Sequence, residues 1–425
     1  MLEHSRTVVM KFGGTSVADA ERLRRAAQRI VRKREEGVRV VAVLSARGKE
    51  TDRLIADAFE VSLNPDPREM DMLLSTGERV SCALCAMAIN DLGHEAISLT
   101  GSQAGIVTDT SHTKARILDV RADRILRALD EQKIVLVAGF QGVSTAKDVT
   151  TLGRGGSDTT AVALAAAVGA DVCEIYTDVP GVFSADPRIV PDARKLDIVS
   201  FEEMLEMSAS GAGVLQLRSV EYARTHGVRI HCRSSFDDSP GTIVVSEQET
   251  MEHPLITAVT HSTGEARVTL QGVPDTPGAA GRIATALADA NVNVDMIIQN
   301  EPVTDGHRAD MSFTVPRDDL RAACDALEPL KAELGLDDVV TDVTMGKVSI
   351  VGAGMKTHPG VAAKVFTVLG DQGINIEMIS TSPIKISCVV PGDRVPDAVR
   401  ALHAAFDLQG EDTIRPEQPF GEFTT

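Results

Sequence analysis

Residues 7 to 245 alternate short apolar runs with helical stretches, and this alternation restricts the possible folds more than any other feature of the chain. The apolar runs, which we expect to be strands, are Val8–Phe12, Val38–Ser45, Glu95–Thr100, Ile134–Phe140, Val172–Thr177 and Val228–Arg233. The intervening stretches that we expect to be helical include Ala20–Lys33, Ala115–Gln132, Thr159–Val168 and Phe201–Ser208. Because the runs are continuously apolar, the pattern predicts an α/β fold with a mostly parallel sheet sandwiched by helices.

In a sheet of this kind, ligands bind in the loops beyond the carboxyl ends of the strands. The loops concerned carry the polar and glycine-rich residues of this half, and they follow Phe12, Leu44, Leu99, Phe140 and Tyr176. We therefore expect the functional residues to converge at one edge of the sheet.

The run from Thr151 to Thr160 reads T-L-G-R-G-G-S-D-T-T, and an alanine-rich helix follows it. Its three glycines permit close backbone approach and leave amide groups free for an anion, to which the helix N-terminus adds a positive dipole end. Arg154 can bind a carboxylate or phosphate through two parallel hydrogen bonds. Asp158 suits a group that holds or orients cations. Taken alone, the run also fits a flexible loop in which Asp158 caps the helix.

The first strand is followed by Gly13-Gly14-Thr15-Ser16 and then by a helix. A strand, a glycine turn and a helix N-terminus together form an anion site, and Lys11 would add a positive charge from the strand end. The Walker A order G-x-x-x-x-G-K-[ST] is absent, since this lysine precedes the glycines.

The composition excludes several kinds of partner. A net charge of −18 without a basic block argues against nucleic acid and acidic membranes, and the absence of Trp argues against stacking on bases. The N-terminus shows neither a signal peptide nor an apolar stretch of membrane length, which predicts a cytoplasmic protein. Six cysteines are scattered through apolar segments, and Cys82 and Cys85 lie in a helical pattern. We interpret them as small buried residues rather than a metal or redox site.

An internal repeat occupies the C-terminal part of the chain. Residues 277–297 align without gaps with residues 359–379, and nine of the 21 pairs are identical. Each copy reads as a strand, a Pro-Gly turn, an amphipathic helix and a second apolar strand, the order found in ferredoxin-like units. Residues 246–254 are polar and end in a proline, which predicts a linker before the repeat. The repeat alone is equally consistent with two scaffold domains that bind no ligand.

Taken together, the motifs resemble those of the aspartate kinase family over nearly the full length of the chain. The matching motifs of the kinase part are Lys11-Phe-Gly-Gly-Thr-Ser16, Ser45-Ala46 with Thr51, Met72-Leu-Leu-Ser-Thr-Gly-Glu78, Thr100-Gly-Ser-Gln-Ala-Gly105, Gly139-Phe-Gln-Gly142, the Thr151–Thr160 run, Thr177-Asp178 and Ala185-Asp-Pro-Arg188. The repeat is similar to the tandem ACT domains of that family.

The resemblance implies a domain plan. Residues 1–245 would form a catalytic domain of the amino-acid-kinase, carbamate-kinase-like fold, and residues 246–261 a linker and the first regulatory strand. Two ferredoxin-like ACT domains would occupy residues 262–343 and 344–425. The first ACT domain would be inserted within the second, so that Leu255–Thr260 would pair with the C-terminal unit.

The resemblance also implies the reaction, which is transfer of phosphate from ATP to the side-chain carboxylate of L-aspartate. The product, 4-phospho-L-aspartate, leads to lysine, threonine and methionine. Because the acceptor is already an anion, catalysis must mainly bring two anions together and stabilise a charged transition state. The implied catalytic residues are Lys11, Arg154 and Asp158. The implied aspartate-binding residues are Ser45, Thr51, Glu78, Arg154, Gly156 and Ser157.

Several of these residues have simpler interpretations when they are taken singly. Glu78 suits the ammonium group of aspartate but could also cap a helix, as could Thr51, and Ser45 could end a strand. The implied nucleotide-binding residues are Lys11, Gly13, Gly14, Ser16, Thr177, Asp178, Phe183, Asp186 and Arg188, with the amides from Gly13 to Ser16 holding the γ-phosphate. Asp186-Pro-Arg188 also fits a turn by itself. Mg²⁺ would bind phosphate oxygens and water rather than dedicated protein ligands.

The implied effectors are threonine, lysine or both. The residues that would bind them are Asp275, Gly278, Ala280, Asn293, Gln299, Met355, Asn375, Ile376, Thr381 and Ser382. The assembly implied is a homodimer through the ACT domains, or an α2β2 complex with a regulatory subunit started internally at Met251.

The chain departs from the family pattern at two places. Gly213 stands where the family usually has a lysine that reaches the ATP phosphates, so we expect weaker use of ATP unless Lys195 or Arg218 compensates. In the regulatory half, Glu301-Pro302 replace small polar residues. Pro383 replaces a glutamate, which removes a carboxylate and a backbone donor. We therefore expect lysine alone to inhibit weakly.

Two other functions stay open at this point. Another kinase of the same fold, acting on glutamate or a nucleotide, would share the glycine motifs but lack Met72–Glu78 and the paired repeat. A degenerate kinase acting as an amino-acid sensor or partner subunit is consistent with Gly213 and Pro383, but the implied catalytic residues are all retained.

Overall fold

A computed structural model describes residues 6–249, 255–299 and 308–410 of the chain. The strands of the first 245 residues are β1 (Thr7–Phe12), β2 (Arg39–Leu44), β3 (Ala96–Leu99), β4 (Ile106–Thr108), β5 (Ile117–Val120), β6 (Ile134–Ala138), β7 (Gln141–Ser144), β8 (Val149–Thr151), β9 (Val172–Thr177), β10 (Ile198–Ser200), β11 (Ile230–Ser234) and β12 (Thr242–Val245). The helices of this part are α1 (Ala20–Glu35), α2 (Glu50–Val61), α3 (Pro67–Leu74), α4 (Thr76–Asp91), α5 (Asp123–Asp130), α6 (Gly156–Val168), α7 (Phe201–Ala209) and α8 (Leu217–His226).

Eight of these strands form the main sheet, in the order β10-β12-β11-β9-β1-β2-β6-β3. Every neighbouring pair is parallel except β11 and β12. Separate apolar cores lie on the two faces: α1 and α4 contribute to one, and α5, α6 and α8 to the other. The predicted α/β fold with a mostly parallel, helix-covered sheet is therefore confirmed.

A second sheet of four short strands, in the order β5-β4-β7-β8, was not predicted from the sequence. Its presence shows that one of the expected helices is only partly helical. The stretch Ala115–Gln132 is helical only from Asp123 to Asp130, whereas Ile117–Val120 forms β5 and pairs with β4. This sheet ends at Thr151, and so it holds the start of the glycine-rich run.

The continuous helical segment Pro67–Asp91 is long and apolar enough to cross a membrane, judged by length and composition alone. Half of it is buried inside the protein, and core helices of water-soluble proteins pass the same test. Its second part, α4, packs against α1 and β3, so we interpret it as a core helix.

The regulatory half contains two further four-stranded sheets, each packed against two helices. The strands are β13 (Ala258–Ser262), β14 (Glu265–Pro274), β15 (Asp295–Gln299), β16 (Arg308–Pro316), β17 (Asp338–Asp342), β18 (Met345–Val351), β19 (Met378–Ser382) and β20 (Lys385–Pro391). The helices are α9 (Ala279–Asp289), α10 (Leu320–Glu333), α11 (Val361–Asp371) and α12 (Val395–Ala405). One sheet has the order β15-β16-β14-β17, and the other has the order β13-β18-β20-β19.

Strand β13 precedes the first of these units in sequence but belongs to the second. It pairs antiparallel with β18, with Ala258 opposite Val351 and Ser262 opposite Lys347. This is the pairing expected if the first unit is inserted within the second. The exact domain boundaries at residues 245, 261 and 343 stay a prediction.

Candidate active site

The Lys11 ammonium and the Asp158 carboxylate meet at the carboxyl edge of the main sheet. Lys11 is next to last in β1, and Asp158 lies in the first turn of α6. They form an ion pair in which the side chains are only 12% and 8% exposed. The pair is therefore shielded from water, and a charge interaction is stronger in such a site than at the protein surface.

The turn after β1 offers fewer free amides than the sequence suggested. The Gly13 amide donates to the Tyr176 carbonyl at 3.2 Å, and the Ser16 amide donates to the Gly13 carbonyl at 3.0 Å. The Ser16 hydroxyl lies 2.5 Å from that of Ser235. These two amides are therefore engaged within the protein, and the binding of phosphate by the amides from Gly13 to Ser16 stays a prediction. Gly14 and Thr15 open the 3-10 turn, where amides have no intrahelical acceptor.

The glycine-rich run turns sharply into α6. Gly153 and Gly155 have φ values of 79° and 74°, in the left-handed region that favours glycine. A Cβ atom on Gly155 would lie 2.1 Å from Cγ of Gln216, so this position also requires glycine for space. Gly155 is the N-cap of α6, which excludes the simpler interpretation of Asp158 as the cap.

Two amides of this run are already bonded within the loop. The Gly156 amide donates to the Gly153 carbonyl at 2.9 Å, and the Asp158 amide donates to the Gly155 carbonyl at 3.1 Å. Ser157 is buried beside Gly139, where an added Cβ would lie 2.7 Å from the Ser157 hydroxyl. Gly156 and Ser157 are thus packing positions as well as candidate ligand contacts.

Arg154 projects from the same loop and is exposed. No hydrogen bond or ion pair joins its guanidinium to another residue in the described part of the chain. The group is therefore available to a carboxylate or phosphate from solution.

Glu78 is the most perturbed carboxyl group of the site. It is 3% exposed in α4, and its Oε1 accepts a hydrogen bond from the Ala46 amide at 3.2 Å. Its Oε2 is buried without a hydrogen-bond partner among the residues that the structure describes. Burial raises the pKa of Glu78 to about 7, against the opposing effect of the backbone amides. A cationic group that reached Oε2 would compensate this carboxylate.

Ser45 and Thr51 lie in the segment after β2. They flank Ala46, whose amide bonds to Glu78, and Glu50, which lies beside Gly77. The Ser45 amide donates to the Phe12 carbonyl at 3.1 Å, which ties the ends of β1 and β2 together. Thr51 lies in the first turn of α2, whose N-cap is Lys49, so Thr51 is not the cap.

Asp71 is a site residue that the sequence reasoning missed. It is fully buried in α3 and accepts hydrogen bonds from the Thr113 amide at 3.1 Å and from the Thr151 hydroxyl. The His112 ring nitrogen Nδ1 lies 2.7 Å from the same carboxylate. Asp71 thus fixes the start of the glycine-rich run. Its one signal in the sequence is a carboxylate in the apolar helix just before the Met72–Glu78 motif.

A cavity of about 480 Å³ opens beyond the carboxyl end of β9. Gly213 lies in its wall. So do the five residues at and beyond the end of β9 that were implied to bind the nucleotide, which are Thr177, Asp178, Phe183, Asp186 and Arg188. The structure therefore brings these residues together around one space.

Asp186 and Arg188 also form the turn that the sequence allowed as a simpler interpretation. The Arg188 amide donates to Asp186 Oδ1 at 2.9 Å, and the guanidinium donates to Oδ2 at 2.7 Å. These hydrogen bonds lower the pKa of Asp186 below its usual value. The turn is therefore built by its own residues and simultaneously lines the cavity.

Neither proposed substitute for the missing lysine reaches this cavity. Lys195 is paired with Asp197 and donates to the Gly241 carbonyl at 2.8 Å. Arg218 donates to the carbonyls of Leu152 at 2.7 Å and Ala115 at 3.0 Å. The suggestion that one of them replaces the lysine is therefore not supported.

Within the described ranges, no group of three or more His, Cys, Asp or Glu side chains is placed to bind a metal ion. The expectation that Mg²⁺ binds phosphate oxygens and water rather than dedicated protein ligands stays a prediction.

The candidate effector residues lie on the two ACT units. Asp275, Gly278 and Ala280 lie exposed between β14 and the first turn of α9, and Asn293 and Gln299 are exposed around β15. In the second unit, a 3-10 turn and the segment at β19 hold the other candidates, Met355, Asn375, Ile376, Thr381 and Ser382. The substituted pair Glu301-Pro302 and the internal start Met251 lie outside the described residues.

Comparison with known proteins defines the class of the chain. The family model described as the amino acid kinase family matches residues 6–234, and ACT domain models match residues 267–332 and 348–406. The chain is thus a kinase of the amino-acid-kinase type with two regulatory ACT domains.

Relatives with curated names narrow the family. The aspartokinase of Mycolicibacterium smegmatis is 57% identical over 408 residues, which cover 95% of this chain and 97% of that protein. The aspartokinase of Corynebacterium glutamicum is 53% identical over the same shares of the two chains. The chain belongs to the aspartokinase family.

Solved structures agree with this assignment. Escherichia coli aspartokinase III in complex with aspartate and ADP, described as the R-state, matches with a TM-score of 0.82 at 27% identity, covering 94% of this chain and 99% of that one. The same enzyme with lysine and aspartate, described as the T-state, matches with a TM-score of 0.71 at 28% identity, covering 95% and 100%.

Proposed function

We propose that this chain phosphorylates the side-chain carboxylate of L-aspartate with MgATP, and that Lys11 holds the transferred phosphoryl group. The position of β1 carries the proposal. Phe12 lies in register with Leu44 of β2 on one side and with Tyr176 of β9 on the other. Lys11 therefore stands between the loop that leads to Glu78 and the loop that opens into the nucleotide cavity.

On this geometry, aspartate binds on the β2 side and the nucleotide on the β9 side. Glu78 takes the ammonium group through Oε2, which is buried without a partner among the described residues. Arg154 binds a carboxylate of the substrate with its unengaged guanidinium. Ser45 and Thr51, on the segment that meets Glu78, contact the rest of the amino acid.

The transfer itself requires positioning and charge stabilisation. A side-chain carboxylate oxygen of aspartate attacks the γ-phosphorus, a new P–O bond forms, and the bond to the β,γ-bridging oxygen breaks to release ADP. Lys11 stabilises the negative charge on the phosphoryl oxygens, and Asp158 keeps the ammonium in position through their ion pair. No general base is needed because the attacking carboxylate is ionised at neutral pH.

The nucleotide cavity supplies the other half of the site. Thr177, Asp178 and Phe183 line it together with the Asp186–Arg188 turn. We propose that Mg²⁺ would enter with ATP, held by phosphate oxygens and water, and would neutralise part of the phosphate charge.

The amino-acid effectors and the assembly complete the proposal. The T-state structure of the E. coli relative contains lysine. We propose that the ACT units of this chain bind threonine or lysine through the exposed residues around α9, β15 and β19. We also propose a cytoplasmic enzyme assembled through its ACT domains, either as a homodimer or as an α2β2 complex with an internally started subunit.

Two assays test the reaction. Release of ADP should depend on added L-aspartate, and hydroxylamine should trap the product as a hydroxamate, because an acyl phosphate reacts with this nucleophile. Lys11→Met should abolish both signals. ADP release with glutamate or a nucleotide instead of aspartate would indicate another kinase of the same fold. Absence of ADP release with any acceptor would indicate a sensor or partner subunit.

A further inference from the structure

One wall of the nucleotide cavity comes from the regulatory half of the chain. Val259, Thr260 and His261 of β13 line the cavity together with the kinase residues named above. The backbone of β13 passes so close to the kinase half that a Cβ on Gly211 would lie 1.9 Å from the His261 carbonyl oxygen. Gly211 also has a φ of 105°, so the approach depends on glycine.

The loop that follows β9 is held by this regulatory unit. The Val259 amide donates to the Ser184 carbonyl at 2.7 Å, which ties the loop to β13. The Ser184 hydroxyl lies 3.0 Å from Nε2 of His403 in α12. Ala185 and Val190 are buried in the apolar core of the same unit. One face of the loop thus lines the nucleotide cavity, while its other face belongs to the regulatory core.

His261 is the titratable side chain on this wall. It is only partly buried, and its imidazole makes no hydrogen bond to another residue within the described ranges. Burial lowers the pKa of His261, with Arg188 acting in the same direction and Asp186 opposing it. A neutral imidazole offers one N–H donor and one nitrogen acceptor. The neighbouring Thr260 hydroxyl is also buried without a described hydrogen-bond partner.

The position of His261 indicates which part of a nucleotide it would meet. The phosphates belong at the β1 end, where Lys11 lies and where the Gly13 amide bonds to the Tyr176 carbonyl. Thr177, which follows Tyr176 in β9, lines the cavity, and β13 lines it from the regulatory half. The nucleoside therefore extends away from Lys11 toward β13.

We propose that His261 binds the nucleoside part of the nucleotide through a ribose hydroxyl or a base edge, so that the kinase site is incomplete without β13. This inference rests on the proposed nucleotide site. It assigns a substrate contact to a strand of the regulatory half, where neither the glycine motifs nor the charged turn would place one.

Steady-state kinetics on the full-length enzyme test the inference. His261→Ala should raise KM for ATP about three- to tenfold, the value of one lost hydrogen bond, and should change kcat and KM for aspartate less than about twofold. His261→Asn keeps a donor and an acceptor and should recover part of the loss. The dissociation constant for ADP, measured by calorimetric titration without aspartate, should rise in parallel.

The matched control is Ser262→Ala, the next residue of β13, which does not line the cavity and whose hydroxyl only accepts a long contact of 3.4 Å from the Gly264 amide. It should leave KM for ATP unchanged. Phe183→Ala, on the kinase wall, serves as the positive control. Melting temperatures of all variants show whether the fold is kept. If His261→Ala does not fold, the kinetic comparison is made with His261→Asn alone.

The outcomes separate this inference from the proposed function. If Phe183→Ala raises KM for ATP but both His261 variants leave KM and the ADP dissociation constant unchanged, the nucleotide site stands and the role of His261 is overturned. If neither Phe183→Ala nor His261→Ala changes these constants, the nucleotide site itself is misplaced, and the inference falls with it. An equal rise for Ser262→Ala would indicate disturbance of β13 rather than a contact by His261.

Discussion

Burial raises the pKa of Glu78, in the proposed aspartate site, to about 7, so its carboxyl group changes protonation state near neutral pH. Binding of an ammonium group needs the ionised carboxylate. With MgATP saturating, kcat/KM for aspartate should therefore rise with pH through about 7 and level off above it. Glu78→Gln should lower kcat/KM for aspartate by about tenfold or more at alkaline pH and should abolish its rise with pH. A pH profile of the same shape in the variant would assign this rise to another titrating group.

The same group makes the stability of the folded enzyme depend on pH. Because the folded-state pKa is raised from 4.5 to about 7, the folded state binds more protons than the unfolded chain in this interval. Stability from this group is complete below pH 4.5 and is lost as the pH rises through about 7. Without aspartate, Glu78→Gln should therefore be more stable than the parent enzyme at alkaline pH, by on the order of 2–3 kcal/mol. Thermal melts at both ends of the interval check this, and an equal difference at acidic pH would contradict it.

Substitutions at Gly213 test whether the lysine that the family usually has at this position contributes to the use of ATP. It lines the nucleotide cavity, and an added Cβ would meet no atom within 4 Å, so a longer side chain has room to begin there. Gly213→Lys should raise kcat/KM for ATP about tenfold by adding a cation near the phosphates. Gly213→Ala adds the Cβ without the charge and should leave the ratio nearly unchanged. An unchanged or lower ratio in the lysine variant would show that Lys11 and the glycine-rich run already suffice.

Single residues were predictable from the sequence where their chemistry is unusual for their position. A lysine at a strand end and an aspartate in a glycine-rich anion loop each stood out as a candidate site residue, and the structure pairs Lys11 with Asp158. Asp71 and the engaged amides of Gly13 and Ser16 could not be found in this way. The partners of Asp71 and of the Gly13 amide are distant in sequence, and the Ser16 amide bonds within a turn whose geometry the sequence does not fix. Only the folded arrangement therefore shows which polar groups are already satisfied.

At the scale of elements, the parallel strands were predictable because each is a continuous apolar run. The error at Ala115–Gln132 has a physical cause. Ile117 and Val120 suit a helix face as well as a strand, and what decides is the pairing of β5 with β4, which no local pattern contains. The small second sheet was missed for the same reason, since its strands are only three or four residues long.

Helix α7 joins the two halves through Glu203, and this contact gives a prediction about stability. Glu203 completes a capping box with Ser200, and its Oε1 accepts hydrogen bonds from the Thr257 hydroxyl at 2.6 Å and the Ala353 amide at 3.2 Å. Glu203→Ala removes the reciprocal half of the capping box and leaves buried donors unsatisfied, which should cost about 3 kcal/mol or more. Calorimetry should show a melting temperature lower by several degrees.

The neighbouring Glu202 provides the matched control for this helix. Its carboxylate lies 3.2 Å from the Arg224 guanidinium in a partly exposed pair. Glu202→Ala should cost about 1 kcal/mol or less, as is usual for surface ion pairs. Equal losses in the two variants would show that the contacts of Glu203 across the halves add nothing.

At the scale of the whole molecule, the repeat could be predicted from the sequence, and the family resemblance implied the inserted order of the two ACT units. The intimate contact between the kinase half and the second unit could not. Lys385 of β20 pairs with Glu206 of α7 at 2.8 Å, and Ala185 packs into the regulatory core. These contacts join residues that are distant in sequence and share no motif, so no local pattern predicts them.

The last prediction concerns feedback regulation. Ser382 ends β19 and Pro383 follows it in an exposed turn, where the family's glutamate would offer a carboxylate to a lysine ammonium. Lysine alone should therefore inhibit weakly, as measured by ADP release over a lysine titration at subsaturating aspartate. Pro383→Glu restores the carboxylate and the backbone donor and should lower the lysine concentration for half-inhibition, whereas Pro383→Ala restores only the donor. Strong inhibition of the parent enzyme by lysine alone at sub-millimolar concentration would show that the effector site does not depend on this carboxylate.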